Sequence, residues 1–458
     1  MKVNQILDFR LTMQYRLMRE KVFLLVLFFC VSVGISQSYF NRITGSNPYL
    51  GSARSFGMGN TVHSDRSTRL LLLNPAGLWR LPADFSFEYH LSGNSILERR
   101  GFDLKDFFGD YLTTSDYVVN QTNRFFQGIG ISGSKTMGLY RLTAAISSDP
   151  LTSFAYKYEE EIRGSLSFDD GIIGNKDPLL GFHYYEVHGQ LDKISIGLGI
   201  RYLMDEKFTL NWGLAYHKVS ESSIHDVFQV DTLRNMDGYL ATINPISEIV
   251  FTPKGGFLSY SIELNTWKNI HFSFSIDTEL KIESDSYNPP LLDVTSGLPG
   301  FFSGDTLSYH LAGISYVKPA RKSFGISYTT YGRTPVYVVA DFTTTDGYSI
   351  ALKNDEIFQI NETNSWHLGI EYMATNKIPV RVGMVYNQSP FQVMDPQTTI
   401  TVGTGKSFDE LQVDVGLGFQ SGQYKYPDLF PVENDVRPSL DRVTESKFNF
   451  MLSISYTI

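Results

Sequence analysis

Every second residue from Phe448 to Ile458 is apolar, with Asn449, Met451, Ser453, Ser455 and Thr457 between them. In an extended strand successive side chains fall on opposite faces, so this stretch reads as a strand with one apolar face. The division recurs. Ile194, Ile196, Leu198, Ile200 and Tyr202 alternate with Ser195, Gly197, Gly199 and Arg201, and Phe208, Leu210, Trp212, Leu214 and Tyr216 alternate with Thr209, Asn211, Gly213, Ala215 and His217. Similar alternation runs through 270–277, 366–372 and 411–420. Along the whole chain it predicts strands near 83–92, 125–134, 138–147, 153–163, 182–191, 193–203, 207–218, 257–265, 269–282, 307–317, 321–331, 335–342, 364–373, 378–387, 411–421 and 447–458.

Strand length separates two architectures that share this pattern. Strands of a soluble sandwich average about five or six residues and turn their polar face outward. A transmembrane barrel needs about 9 to 11 residues per crossing, apolar toward lipid and polar toward the lumen. The longer segments match the second requirement. The expected fold is therefore all-β: a transmembrane antiparallel β-barrel of 14 strands, with 16 as the alternative, since single-chain outer-membrane barrels have even strand numbers. Asp192 and Asp205–Glu206 read as short turns at one end, and 101–124, 219–256, 283–306, 343–363 and 422–446 as long loops at the other. With apolar faces outward, Glu186, His188, Arg201, His217, Glu263, His271, Asp277, Glu279, Lys281, Glu371, Arg381 and Asp414 point inward. A wall carrying both signs is either a polar path that grips an internal plug or a set of mutual ion pairs.

Composition locates the protein. The chain has 458 residues and is 14% aromatic, with 33 Phe, 27 Tyr and 4 Trp, and aromatics such as Tyr202, Phe208, Tyr216, Trp366, Tyr372, Phe419 and Phe448 end several predicted strands. Those are the positions that meet lipid headgroups. One cysteine excludes a disulfide scaffold and a Cys/His zinc module, and 42% apolar residues exclude a disordered chain. Lys2, Arg10, Arg16, Arg19 and Lys21 precede the apolar run Val22–Val33, followed by the small residues Gly34 and Ser36. This is the form of a secretory signal peptide spanning 1–36 and cut after Ser36, with Met18 as an alternative start. Its removal takes five basic and two acidic side chains, shifting the formal charge from −9 to −12. An acidic exported chain has no electrostatic footprint for nucleic acid.

Residues 37–82 do not alternate and read as a compact plug ahead of a barrel at 83–458. They contain Gly51-Ser-Ala-Arg-Ser-Phe-Gly57-Met-Gly59-Asn60 and Leu73-Asn74-Pro75-Ala76-Gly77-Leu78. These segments, with Ser365-Trp-His-Leu-Gly369-Ile-Glu371-Tyr372 and Pro379-Val-Arg381-Val-Gly383-Met-Val-Tyr386-Asn-Gln-Ser389-Pro390, resemble the FadL family of outer-membrane transporters of long-chain fatty acids and hydrocarbons. The resemblance covers both ends of the chain; the middle rests on strand pattern alone. It implies 14 strands, an amino-terminal hatch with Asn74, Pro75, Ala76 and Gly77 as its motif, passive uptake of hydrophobic molecules and no catalysis. No cofactor or metal is expected, and the partners would be outer-membrane lipid and a hydrophobic ligand, with the protein a monomer. The family's sideways exit is associated with an interrupted strand. Asp149-Pro150 divides the alternating region 138–163, and Pro cannot donate to a strand ladder; an ordinary turn is the plainer reading of the same pair. Leu291, Leu292, Leu298, Phe301 and Phe302, in one long loop, are candidates for ligand capture.

Other signals carry less. Gly128-Ile-Gly130-Ile-Ser-Gly133 matches G-x-G-x-x-G, but strand alternation continues through it where a phosphate cradle would begin a helix. Glu159-Glu160-Glu161 and Asp169-Asp170 lack calcium-loop spacing, and neither H-E-x-x-H nor a serine elbow is present. The GSAR and NPAGL opening also resembles barrels that assist type IX secretion. The alternative function is therefore a non-transporting outer-membrane barrel that binds protein partners at its extracellular loops.

Overall fold

The computed structural model describes residues 44–46, 51–82, 85–163, 179–220, 222–232, 241–243, 246–251, 255–288, 315–332, 334–351, 357–374, 378–392, 394–426 and 440–458. The chain builds β1 (Phe85–Lys105), β2 (Tyr111–Met137) and β3 (Tyr140–Ser153), then leaves the wall for β4 (Tyr156–Arg163) and β5 (Leu179–His188). It returns as β6 (Gln190–Leu203) and β7 (Phe208–Val219), departs through β8 (Ser222–Thr232), β9 (Ala241–Ile243) and β10 (Ile246–Phe251), and re-enters as β11 (Gly256–Thr266) and β12 (Ile270–Asp277). A third excursion, β13 (Leu280–Asn288) and β14 (Ser315–Lys318), precedes β15 (Arg321–Thr329) and β16 (Val336–Thr345). The hairpin of β17 (Tyr348–Ala351) and β18 (Ile357–Ile360) leads to β19 (Thr363–Met373), β20 (Pro379–Asn387), β21 (Gln397–Phe408), β22 (Leu411–Tyr426) and β23 (Asp441–Thr457).

Fourteen of these strands close into an antiparallel barrel in the order β1-β2-β3-β6-β7-β11-β12-β15-β16-β19-β20-β21-β22-β23, and β23 pairs back onto β1 from Ser86↔Thr457 to Gly101↔Arg442. All excursions leave from one end, where β14-β13-β10-β8-β5-β4 form a second sheet with β9 paired to β8. The opposite end has short turns. Gly138, Asn269 and Asp409 there adopt φ of 58°, 54° and 49°, a region that Gly, Asn and Asp tolerate best. In the expected turn at Asp205, its carboxylate accepts from the backbone N–H of Lys207 (2.7 Å) and Phe208 (2.9 Å).

The barrel is apolar outside and polar inside. On β6, Ile194, Ile196 and Leu198 are 48%, 56% and 44% exposed, while Ser195 between them is 1% exposed. The same inversion places Trp212, Leu214, Ile262, Phe324, Val382 and Val402 outside and Asn211, Glu263, Ser323, Arg381 and Thr401 inside. In water this surface would be costly; in lipid, closure leaves no unpaired edge and the apolar positions meet hydrocarbon. A closed antiparallel barrel of even strand number with this inversion is of the outer-membrane type.

Several expectations are corrected. The strand number is the expected 14 and not the alternative 16: of the predicted segments, 153–163 and 182–191 fall mainly on β4 and β5 of the second sheet, and the described part of 307–317 on β14. The alternation seen there belongs to a sheet at the loop end of the barrel. β21 was not predicted: in Gln397–Phe408 threonines occupy both faces and only Ile400, Val402 and Phe408 mark the outward one. The span 101–124 is mostly strand, since β1 and β2 extend to a turn at 106–110. Asp192 lies within β6, opposite Pro150, rather than in a turn. Glu186 and His188 sit on β5, outside the closed wall; Glu279 lies between β12 and β13, and Lys281 is exposed on β13 beside Glu283 (3.1 Å). Residues 1–36 and the proposed capture residues Leu291, Leu292, Leu298, Phe301 and Phe302 lie outside the described residues.

Candidate functional site

The lumen is occupied by residues 51–82. Their regular structure is slight: a four-residue helix α1 (Ala53–Phe56), a second, α2 (Leu70–Leu73), and a 3-10 turn at Pro75–Arg80 with Pro at its start. A segment so poor in regular structure leaves many backbone groups to be satisfied elsewhere. The wall supplies the partners. The backbone N–H of Ala53 donates to Ser453 Oγ (2.8 Å), Gly59 to Thr401 Oγ1 (3.0 Å), Val62 to Asp341 Oδ2 (2.5 Å), Thr68 to Glu88 Oε2 (2.7 Å) and Ala76 to Ser261 Oγ (2.6 Å). In return Arg321 donates to Leu72 O (2.8 Å) and Arg141 to Leu81 O (2.6 Å).

The segment Asn74–Gly77 docks on β11 and the neighbouring β6 and β7. Asn74 is fully buried and donates through Nδ2 to Glu263 Oε2 at 3.1 Å. Trp79 Nε1 donates to Glu263 Oε1 at 3.1 Å, and Arg80 pairs with the same carboxylate. Arg201, on the wall, lies over the Trp79 ring at 4.3 Å. Pro75 presses against Gly213, where any side chain would collide with its backbone. Across the lumen, Gly57 faces Gly403; a Cβ on Gly403 would come within 2.9 Å of the Gly57 Cα. Glycine at these inward positions lets the two backbones touch.

The inward charges are paired. Arg381 is 1% exposed and holds Glu371 and Asp414, each at 2.6 Å, while Arg54 reaches Glu371 at 2.6 Å from the internal segment. Asp277 is met by Arg321 at 2.7 Å and Lys318 at 3.6 Å. His217 bonds Ser195 (2.7 Å) and Ser259 (3.0 Å), and His271 bonds Asn265 (2.6 Å). The wall charges pair with one another, and Arg54 and Arg80 tie the internal segment into the same network. Sequence reasoning missed Glu88, Asp341, Thr401 and Ser453, although Glu88 between Phe87 and Tyr89 and Asp341 between Ala340 and Phe342 carry the same signal as the residues it found.

One seam of the wall is incomplete. β2 and β3 pair only from Met137↔Tyr140 to Ile129↔Ser148. Asp149 and Pro150 come next, and they are not a turn: both lie within β3, paired to Lys193 and Asp192 of β6, with a register shift between Pro150 and Thr152. Asp149 turns inward to Arg69 at 3.1 Å. Farther along, the side of β3 that β2 has left is met by Ser46, whose N–H and C=O exchange bonds with Ser153 at 2.7 and 3.0 Å.

Solved structures superpose on this barrel. The chain superposes on a FadL homologue of Pseudomonas aeruginosa with a TM-score of 0.57, 12% identity and coverage of 90% of this chain and 100% of that one. It also superposes on the toluene transporter TodX of P. putida, with a TM-score of 0.50, 14% identity and coverage of 90% and 99%. This is the FadL-type fold. At such identities the FadL-type likeness is one of fold alone. No family model matches the sequence, and no curated protein matches it.

Proposed function

We propose that the protein is an outer-membrane channel for passive uptake of hydrophobic small molecules, that residues 51–82 are its plug, and that ligand leaves sideways through the β2–β3 seam. An apolar solute gains nothing by crossing a water-filled pore, so a useful path keeps it out of water and releases it into lipid. The observation that carries this reading is the pairing of a filled lumen with an open seam: the ladder stops at Ser148, beside a proline, where Arg69 of the internal segment holds Asp149. The FadL homologue and the toluene transporter share the fold and add support for a hydrophobic cargo. The Asn74–Gly77 motif then locks the plug to Glu263, and passage requires those bonds to rearrange.

The test is accumulation of radiolabelled aromatic hydrocarbon and of radiolabelled long-chain fatty acid by cells carrying or lacking the protein. Faster accumulation of either compound is expected when it is present; equal rates for both would reject the channel.

A further inference from the structure

The seam has an occupant. Along β3 the alternation of a lipid-facing strand runs as far as Ser148, with Ile146 44% exposed and Ser147 4%, and then stops. Every residue from Asp149 to Ser153 is buried. Neighbouring side chains of a strand point to opposite faces, so this stretch is enclosed on both. Just beyond it, Tyr316 of β14 meets Phe154 edge to face at 5.7 Å. The backbone edge at Ser153 is met by residues 44–46, through the Ser46 bridge.

Residues 44–46 fit this edge closely and hold it lightly. Gly45 takes φ 73°, and a Cβ there would fall 2.2 Å from Thr152 Oγ1, so glycine is what allows the approach. Ser46 adds its two backbone bonds to Ser153. On its other side β3 is paired with β6 from Tyr140↔Tyr202 to Ser153↔Gln190, and Phe154 N–H donates to Gly189 O at 3.0 Å. Release of Ser46 therefore leaves β3 in the wall. A contact made through so few bonds is where local opening costs least.

The same chain runs on into the plug. Gly51 C=O accepts from Arg69 Nη1 at 3.0 Å, and the Nε of that arginine donates to Asp149 Oδ1 at 3.1 Å. Ser52 N–H donates to Asp65 Oδ2 at 2.9 Å, so the start of the plug is fixed to its own interior and, through Arg69, to β3 beside the seam. Given the channel proposed above, on which this rests, we infer that residues 44–46 are a strap that closes the sideways exit, and that movement of the plug draws it off Ser153. A plug that shifts parts Arg69 from Asp149 and pulls on Gly51, and the strap is covalently joined to Gly51. An exit that opens only while the plug is displaced keeps the wall sealed when no ligand is passing.

Ser46→Cys with Ser153→Cys tests the strap in cells, with the same two radiolabelled compounds as probes. Residues that exchange both backbone bonds have Cα atoms about 5.5 Å apart, within reach of a disulfide. Oxidation should join the two thiols and lower accumulation to the rate of cells lacking the protein, and reduction should restore it. Ser153→Cys alone should respond to neither. Gly45→Val should raise accumulation by about three- to tenfold, the population shift expected for losing the Ser46 bonds, with ion conductance unchanged because the plug stays in place. An anchor of the plug would behave differently, since its loss would raise conductance. Thiols that do not join, accumulation that ignores the disulfide, or a Gly45→Val protein no faster than the unmodified one would overturn the strap alone. Failure of the unmodified protein to accumulate either compound would overturn the channel and the strap with it.

Discussion

Two stretches of the wall treat their backbone in opposite ways. From β19 to β22 each strand is paired on both sides along most of its length, the glycines Gly383 and Gly403 admit the backbone of the internal segment, and Arg381 bonds Glu371 and Asp414. Along β2 the ladder toward β3 stops at Ile129, and among the described residues no strand continues it. The first stretch is where the backbone of the internal segment meets the wall at its glycines; the second is where the proposed exit lies.

The sharpest way to break the contrast is at its rigid side. Arg381→Ala leaves two buried carboxylates without their shared cation and is expected to lower stability by about 3–5 kcal/mol. Heat-dependent electrophoretic mobility in detergent would show the loss as an earlier transition; an unchanged transition would mean the grip lies elsewhere. Gly383→Val has a smaller expected effect. Its Cβ would strike the Gly59 amide and approach Thr401 Oγ1 at 2.6 Å, costing about 1–3 kcal/mol and loosening the segment while the barrel stays closed. Single-channel conductance should rise in this variant and stay unchanged in Gly133→Ala, where an added Cβ meets only Phe85 Cδ2 at 3.8 Å.

The last comparison is between two redox states of one variant at the seam, with loss of the Arg69–Asp149 pair common to both. A Cβ on Gly128 would touch the Asp149 side chain, so Gly128→Cys with Asp149→Cys places two thiols across it. The sole native cysteine, Cys30, lies in the expected signal peptide. Oxidation should stop hydrocarbon accumulation and reduction restore it, with the same thermal transition in both states. Accumulation that ignores the redox state would remove the seam from the pathway.

Much of the wall was legible in the sequence because lipid imposes a strict period of two. Thirteen of the barrel strands were predicted, and β21 was lost where threonine blurred the two faces. The same period misled at β4, β5 and β14, since a period of two marks a strand and not the sheet that it joins. Among the inward residues, Arg201, His217, Glu263, His271, Asp277, Glu371, Arg381 and Asp414 were found by parity alone. Glu186, His188, Glu279 and Lys281 were misplaced because parity says nothing about where the wall ends. Asp149–Pro150 was visible as an irregularity, but whether it was a turn or a bulged strand depended on its pairing with Lys193 and Asp192 of β6.

The sequence by itself determined the barrel's inside and outside and the existence of a non-alternating segment ahead of it, because both follow from local period and the solvent each face must meet. Only the tertiary structure decided the partners. That Glu263 takes Asn74, that Gly403 meets Gly57 and that Pro150 pairs with Asp192 are contacts between residues from tens to hundreds of positions apart. They arise from barrel closure around the segment, which no local pattern encodes.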